Sequence, residues 1–212
     1  MIPKSLHGAV LTLMLSACST PHALPAKAGS VPTVPASPVV AAQPGGNPFN
    51  ETLALQGITF QVTSANSSSL NRLSIRPSGL KVDNTLIDRE IDGTVTGAEV
   101  ADLNVDGSPE LYVYVNSAGS GSYGSLVAYA ANKLKSLSEI YLPPLTDDKE
   151  ASRGYMGHDE FRVVENVLAR RFPVYRNQDS NAQPTGGSRQ VQYKLVPGEA
   201  GWILRPDKTI DY

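Results

Sequence analysis

Apolar and polar residues alternate with a period of two along most of the chain that follows Glu51. In GITFQVTS (residues 57–64), Ile58, Phe60 and Val62 fall on one face. In ELYVYV (residues 110–115), the aliphatic residues fall on one face and the two tyrosines on the other. A period of two is the signature of a β-strand, whereas a helix would repeat every 3.6 residues. The pattern therefore predicts a chain built from strands.

Two late stretches predict hairpins. EFRVVENVLARRFPVYR (residues 160–176) carries Glu165-Asn166 between β-branched runs and places Pro173 where a strand would end. RQVQYKLVPGEAGWILRP (residues 189–206) predicts a turn at Pro197-Gly198 that brings Trp202 against the core. Closely spaced turn signals of this kind predict an all-β fold, an antiparallel β-sandwich of about eight to ten strands, with a barrel as the alternative.

The first 50 residues do not show this pattern. Residues 1–17 combine an early positive charge with a short apolar run, which predicts a signal peptide, and Cys18 follows a small-residue stretch like a lipobox. Residues 19–50 are rich in Pro, Ala and Ser and predict a disordered tether. We expect residues 51–212 to form the folded domain.

The cysteine content and the net charge limit the classes of partner and the compartment that we expect for this protein. Cys18 is the only cysteine, so the domain folds without a disulfide. The net charge of −2 argues against nucleic acid and against an electrostatic grip on anionic lipid. We expect an exported protein in the periplasm, held at a membrane only through a lipid anchor at Cys18, and we expect no cofactor.

The stretch DLNVDGSPE (residues 102–110) resembles the opening of a calcium loop. Asp102, Asn104 and Asp106 offer oxygen ligands at alternate positions, and Gly107 follows them. The glutamate expected at loop position twelve is missing, although Glu110 could replace it. We favour a hairpin turn held by side-chain hydrogen bonds. A calcium-stabilised adhesion or carbohydrate-binding module stays open as the alternative function.

The sequence contains residues that could act in catalysis, but not the motifs or spacings that would mark an active site. His158 could serve a hydrolase, but no G-x-S-x-G turn accompanies it. Glu99, Glu139 and Glu165 could serve a glycosidase, but their spacing singles out no pair. We expect that the chain is not an enzyme.

The connection SAGSGSYGS (residues 117–125) joins two predicted strands with small residues and one tyrosine, Tyr123. A loop that only reversed the chain would be shorter or would carry Asn, Asp and Pro. Tyrosine is enriched at binding hot spots because it offers contact area with few rotamers. We expect a binding loop.

Within this loop, Ser120-Gly121-Ser122-Tyr123 fits the pattern S-G-x-Y. Residues 93–145, and then GYMGHDEF and ARRFPVYR, resemble the periplasmic inhibitors of i-type (invertebrate) lysozymes, the PliI family. The resemblance extends over about residues 55–205.

The resemblance implies an antiparallel β-sandwich, often a homodimer, that blocks i-type lysozyme. It implies that Ser120 and Tyr123 hydrogen-bond around the catalytic carboxylates of the lysozyme, and that Gly121 permits a close backbone approach. The family is periplasmic and soluble, whereas this chain carries the lipobox-like Cys18, so the resemblance supports inhibition more directly than it supports localisation.

Overall fold

The computed structural model describes residues 46–212. The predicted signal peptide, Cys18 and most of the predicted tether lie outside the described residues. The described part contains one 3₁₀ turn, Leu145–Asp147, and twelve strands: β1 (Phe49–Leu55), β2 (Ile58–Ser64), β3 (Leu70–Ser78), β4 (Ile87–Asp92), β5 (Thr94–Ala101), β6 (Glu110–Asn116), β7 (Gly124–Asn132), β8 (Ser136–Tyr141), β9 (Glu160–Val164), β10 (Val167–Pro173), β11 (Ser188–Pro197) and β12 (Trp202–Asp211).

The strands form two sheets, which confirms the all-β prediction. Strands β1 to β4 form a four-stranded antiparallel meander, and the other strands form an eight-stranded sheet in the order β5-β6-β7-β8-β12-β11-β10-β9. Within this larger sheet, β8 and β12 pair in parallel, while the other neighbours are antiparallel.

The larger sheet curls until its first and last strands meet. The Glu99 side chain on β5 accepts a hydrogen bond from the backbone N–H of Val163 on β9, with 2.6 Å between the two atoms. The Tyr114 hydroxyl donates to the same carboxylate. Because a side chain, and not a ladder of backbone hydrogen bonds, spans this seam, the sheet is nearly a barrel.

Strand β6 explains why two cores exist. Its Leu111, Val113 and Val115 pack toward the four-stranded sheet, whereas Tyr112 and Tyr114 pack into the curl of the larger sheet. The alternation read from the sequence is therefore confirmed, and both faces of the strand are buried.

Both predicted late hairpins are confirmed. Val164 pairs with Val167 across the turn Glu165-Asn166, and β10 ends at Pro173. Pro197 pairs with Trp202 across the turn that begins at Gly198. The Trp202 ring packs against the core inside the curl, and its Nε1 donates to Asn132 Oδ1 at 3.0 Å.

The strand count exceeds the predicted eight to ten because the sequence pattern does not predict β1 and β4. They are the two edges of the four-stranded sheet. Strand β4 has the sequence IDREID, in which Asp88, Glu90 and Asp92 are exposed, while Ile87 is half-buried and Ile91 is buried. Charged residues protect an edge strand from pairing with other chains, and they also weaken the strand signal. Strand β1 begins at Phe49, within the last residues of the segment 19–50. No helix in residues 46–212 is long and apolar enough to cross a membrane.

Candidate functional site

The stretch that follows β6 and precedes β7, residues 117–123, is a closed and ordered loop. The N–H of Ser117 donates to the carbonyl of Tyr123 at 2.9 Å, and the N–H of Tyr123 donates to Ser117 Oγ at 3.0 Å. At the tip, the N–H of Ser122 donates to the carbonyl of Gly119 at 2.9 Å. The loop therefore has a fixed base and a tight tip, unlike a flexible Gly/Ser connection.

The three predicted site residues differ in exposure. Ser120 is exposed, Gly121 is buried, and the Tyr123 side chain is half-exposed at 50%. The Tyr123 ring lies on Gly121, where an added Cβ would be 2.5 Å from Tyr123 Cε2. Gly121 thus has a role within the chain itself, since any side chain there would displace the ring.

The segment 154–159 supports the loop from one side. The N–H of His158 donates to the carbonyl of Gly121 at 2.7 Å. Gly157, with φ of +93°, packs so closely that an added Cβ would be 2.0 Å from the same carbonyl oxygen. The Tyr155 ring meets the Tyr123 ring edge to face, with 5.7 Å between centroids.

A second contact comes from residue Asn181. The side-chain Nδ2 of Asn181 donates to the carbonyl of Ser120 at 2.8 Å. The backbone carbonyl of Asn181 accepts a hydrogen bond from the Tyr175 hydroxyl at 3.0 Å. The contacts that hold Ser120, Gly121 and Tyr123 therefore use backbone groups and the face of a ring. Both Ser120 and Tyr123 remain exposed in this arrangement.

A buried ion pair lies beneath the end of the loop. Arg170 Nε is 2.7 Å from Asp159 Oδ1, and the two side chains are 7% and 0% exposed. Asp159 Oδ2 accepts hydrogen bonds from the N–H of Gly124 at 2.7 Å and from the Tyr155 hydroxyl at 2.6 Å. Arg170 Nη2 also donates to the Tyr155 hydroxyl oxygen at 2.7 Å.

The surroundings keep the Arg170 guanidinium charged and the Tyr155 hydroxyl protonated. Burial lowers the pKa of Arg170, but the hydrogen bond to Asp159 and the charge of that carboxylate outweigh it, so the net shift is upward. Burial raises the pKa of Tyr155, and the hydrogen bond that its hydroxyl donates to Asp159 raises it further. The Tyr155 hydroxyl therefore stays a donor to Asp159.

The predicted turn at residues 102–110 has the hydrogen bonds of the favoured interpretation. Asp102 accepts from the N–H groups of Asp106 at 3.0 Å and Gly107 at 2.9 Å. Asp106 accepts from the N–H of Ser108 at 2.8 Å, and Gly107 has φ of +81°. Asn104 Nδ2 donates to Asp106 Oδ2 at 3.1 Å.

The same turn also gathers carboxylates. One oxygen each of Asp102, Asp106 and Glu110 lie within 4.8 Å of one another. Glu110 is buried, and desolvation, followed by the nearby charges of the two aspartates, raises its pKa to about 8. Such oxygens suit calcium, but the hydrogen bonds account for the turn by themselves, so calcium binding stays the untested alternative.

The residues considered for catalysis have other contacts. His158 has φ of +58°, and its Nε2 is buried without a hydrogen-bond partner in residues 46–212. Glu139 pairs with Arg89 at 2.7 Å, while Glu99 spans the seam of the larger sheet and Glu165 occupies a turn. Each of the three glutamates thus lies in a different structural setting.

Comparison with known protein families gives a match to part of the chain. Residues 82–153 match the family model PliI, described as periplasmic lysozyme inhibitor of I-type lysozyme. No curated protein matches the chain.

The PliI match confirms the resemblance over residues 82–153. The matched residues include the loop with Ser120, Gly121 and Tyr123. They end before Tyr155, Asp159 and Arg170, the residues beneath the loop. The sequence pattern does not predict this group, although all three residues lie in GYMGHDEF and ARRFPVYR, two of the stretches that resemble the family.

Proposed function

We propose that this protein inhibits i-type lysozyme by inserting loop 117–123 into the substrate cleft of the enzyme. The observation that carries the proposal is the half-exposed Tyr123 on a loop whose backbone is already held in place. Ser120 lies exposed on the same loop. The PliI match covers the whole loop.

The chemistry of a glycosidase cleft suits these two side chains. Such a cleft holds a pair of carboxyl groups and binds sugar hydroxyls. The hydroxyls of Ser120 and Tyr123 can donate to those carboxylates as a sugar would. A hydrogen bond to a charged group contributes about 1.5–3 kcal/mol, so two of them and a tyrosine ring would supply a large part of the binding free energy.

Order in the free loop favours tight inhibition. Binding a flexible segment loses affinity because the segment must be ordered. Here the contacts from Ser117, His158 and Asn181 hold the loop before any partner arrives. Little conformational entropy is then lost on binding.

Titration against an i-type lysozyme tests the proposal. Increasing amounts of the protein should stop the lysis of a peptidoglycan suspension with a sharp equivalence point, because the inhibitor acts stoichiometrically. Lysozymes of the c-type and g-type serve as controls and should stay active. Undiminished i-type activity in the presence of excess protein would contradict the proposed function.

We further propose that the protein is exported and anchored through an acylated Cys18. The support is the lipobox-like sequence before Cys18 and the periplasmic family. Incorporation of a labelled fatty acid into the wild type, and none into Cys18→Ser, is the expected result; equal labelling of both would contradict the anchor. The homodimer stays a prediction, and sedimentation of the purified protein tests it.

A further inference from the structure

Three hydrogen bonds beneath the loop meet at the carboxylate of Asp159. It accepts from Arg170 Nε, from the Tyr155 hydroxyl and from the N–H of Gly124, at 2.6 to 2.7 Å. A buried ion pair stabilises a fold little, because both charges lose their hydration. When every oxygen has a partner, however, such a pair fixes the geometry of the groups that it binds.

The geometry fixed here is the start of β7. Gly124 follows Tyr123 directly, so its N–H lies one peptide bond from the residue that the proposed function places in the lysozyme cleft. An added Cβ at Gly124 would be 2.5 Å from Asp159 Cβ and 2.9 Å from the Phe161 ring. Only glycine therefore lets the backbone reach the carboxylate.

The segment that carries Asp159 contacts the loop at two further points. The N–H of His158 binds the carbonyl of Gly121, and the Tyr155 ring packs against the Tyr123 ring. Since the Tyr155 hydroxyl is itself bound to Asp159 and Arg170, the position of this ring depends on the ion pair. The ion pair is therefore connected to the loop through Tyr155 as well as through Gly124.

We propose that Asp159 is a positioning residue: its carboxylate, held by Arg170 and Tyr155, fixes Gly124 and so sets the direction in which Tyr123 leaves the scaffold. The consequence for inhibition rests on the proposed function. Asp159 lies beyond the residues that match the family model, and no contact between its carboxylate and the lysozyme is required.

Two substitutions break the bond between Gly124 and Asp159 from opposite sides. Asp159→Asn keeps the shape of the side chain but turns one acceptor oxygen into a donor. Gly124→Ala retains the ion pair and forces the backbone away from it. Gly97→Ala is the matched control, because it makes the same exchange in β5 of the same sheet, where the added Cβ would be 3.4 Å from the Tyr114 ring.

The first measurement is amide hydrogen exchange by NMR on the full chain, without lysozyme. The amides at positions 122–124 all donate hydrogen bonds in the wild type. We expect both substitutions to accelerate their exchange by about tenfold or more relative to the amides of β2, since local opening becomes easier. Gly97→Ala should leave this ratio unchanged.

The second measurement is the inhibition constant against i-type lysozyme. We expect it to rise about tenfold or more in both variants, which corresponds to about 1.4 kcal/mol, and to stay unchanged in Gly97→Ala. If Asp159→Asn fails to fold, because Arg170 keeps a buried charge without a partner, Gly124→Ala gives the answer alone.

The exchange and inhibition measurements test the positioning role of Asp159 separately from the proposed inhibition of lysozyme. Unchanged exchange at positions 122–124 would overturn the positioning role, and so would a loosened loop that inhibits as strongly as the wild type. If the wild type itself does not inhibit, the proposed function fails, while the exchange data still decide whether Asp159 holds the loop.

Discussion

Replacing Tyr123 by alanine is the most direct perturbation of the proposed inhibitor. A tyrosine that becomes fully buried covers about 150–250 Å². The side chain is 50% exposed in the free protein, so about 100 Å² remains to be buried by a partner, worth about 2.5 kcal/mol at about 25 cal/mol per Å².

The hydroxyl adds a second contribution. A hydrogen bond from it to a lysozyme carboxylate would contribute about 1.5–3 kcal/mol. Part of the sum is offset by ordering and desolvation. We therefore expect Tyr123→Ala to cost about 3 kcal/mol or more, which raises the inhibition constant about 100-fold or more.

The effect on folding should be small by comparison. The ring gives up an edge-to-face contact with Tyr155, and such pairs contribute about 0.5–1.5 kcal/mol. A urea denaturation curve of Tyr123→Ala should consequently shift slightly, without a change of slope.

Lysis of a peptidoglycan suspension, measured at a fixed lysozyme concentration, gives the inhibition constants. Tyr123→Phe retains the ring and isolates the hydroxyl, for which we expect a rise of about tenfold or more. Tyr212→Ala is the matched control, since this tyrosine is also exposed, at 63%, and should leave inhibition unchanged. If Tyr123→Ala inhibits within about threefold of the wild type, the loop is not the element that enters the cleft.

Three further predictions concern the scaffold. Asn66→Ala removes a side chain that binds both the N–H and the carbonyl of Val95, so we expect a loss of about 2–3 kcal/mol in the free energy of unfolding, and a loss below about 0.5 kcal/mol would contradict this role. The hydrogen bond from Arg189 lowers the pKa of Asp211, so the pair stabilises the fold above the unfolded carboxyl pKa of about 3.9 and loses this effect as the pH falls through the folded value. Asp211→Asn should therefore be less stable than the wild type at neutral pH, with a difference that shrinks in acid; urea midpoints that differ equally at every pH would refute this. If the turn at residues 102–110 binds calcium, adding calcium to EDTA-treated protein raises the melting temperature, and Asp106→Asn reduces the increase; equal melting temperatures with and without calcium would refute calcium binding.

The sequence alone predicted the class of fold, the hairpins and the loop that carries the proposed site. Alternation along β2 fixed which side chains are buried, and alternation along β6 fixed which side chains share a face, because a strand turns successive residues to opposite faces. The turn residues located Glu165-Asn166 and Pro197-Gly198, because turn chemistry is local. Loop 117–123 was recognisable for the same local reason, because small residues and a single tyrosine are unusual in a connection that only reverses the chain.

Only the tertiary structure decided how that loop is held. Gly124 and Asp159 are 35 positions apart, and Asn181 binds a carbonyl 61 positions away. Periodicity encodes which face of a strand is buried but not which distant segment packs against it. The curl of the larger sheet and the parallel pairing of β8 with β12 likewise depend on long-range packing, and this packing brings the ion pair of Asp159 and Arg170 beneath Tyr123.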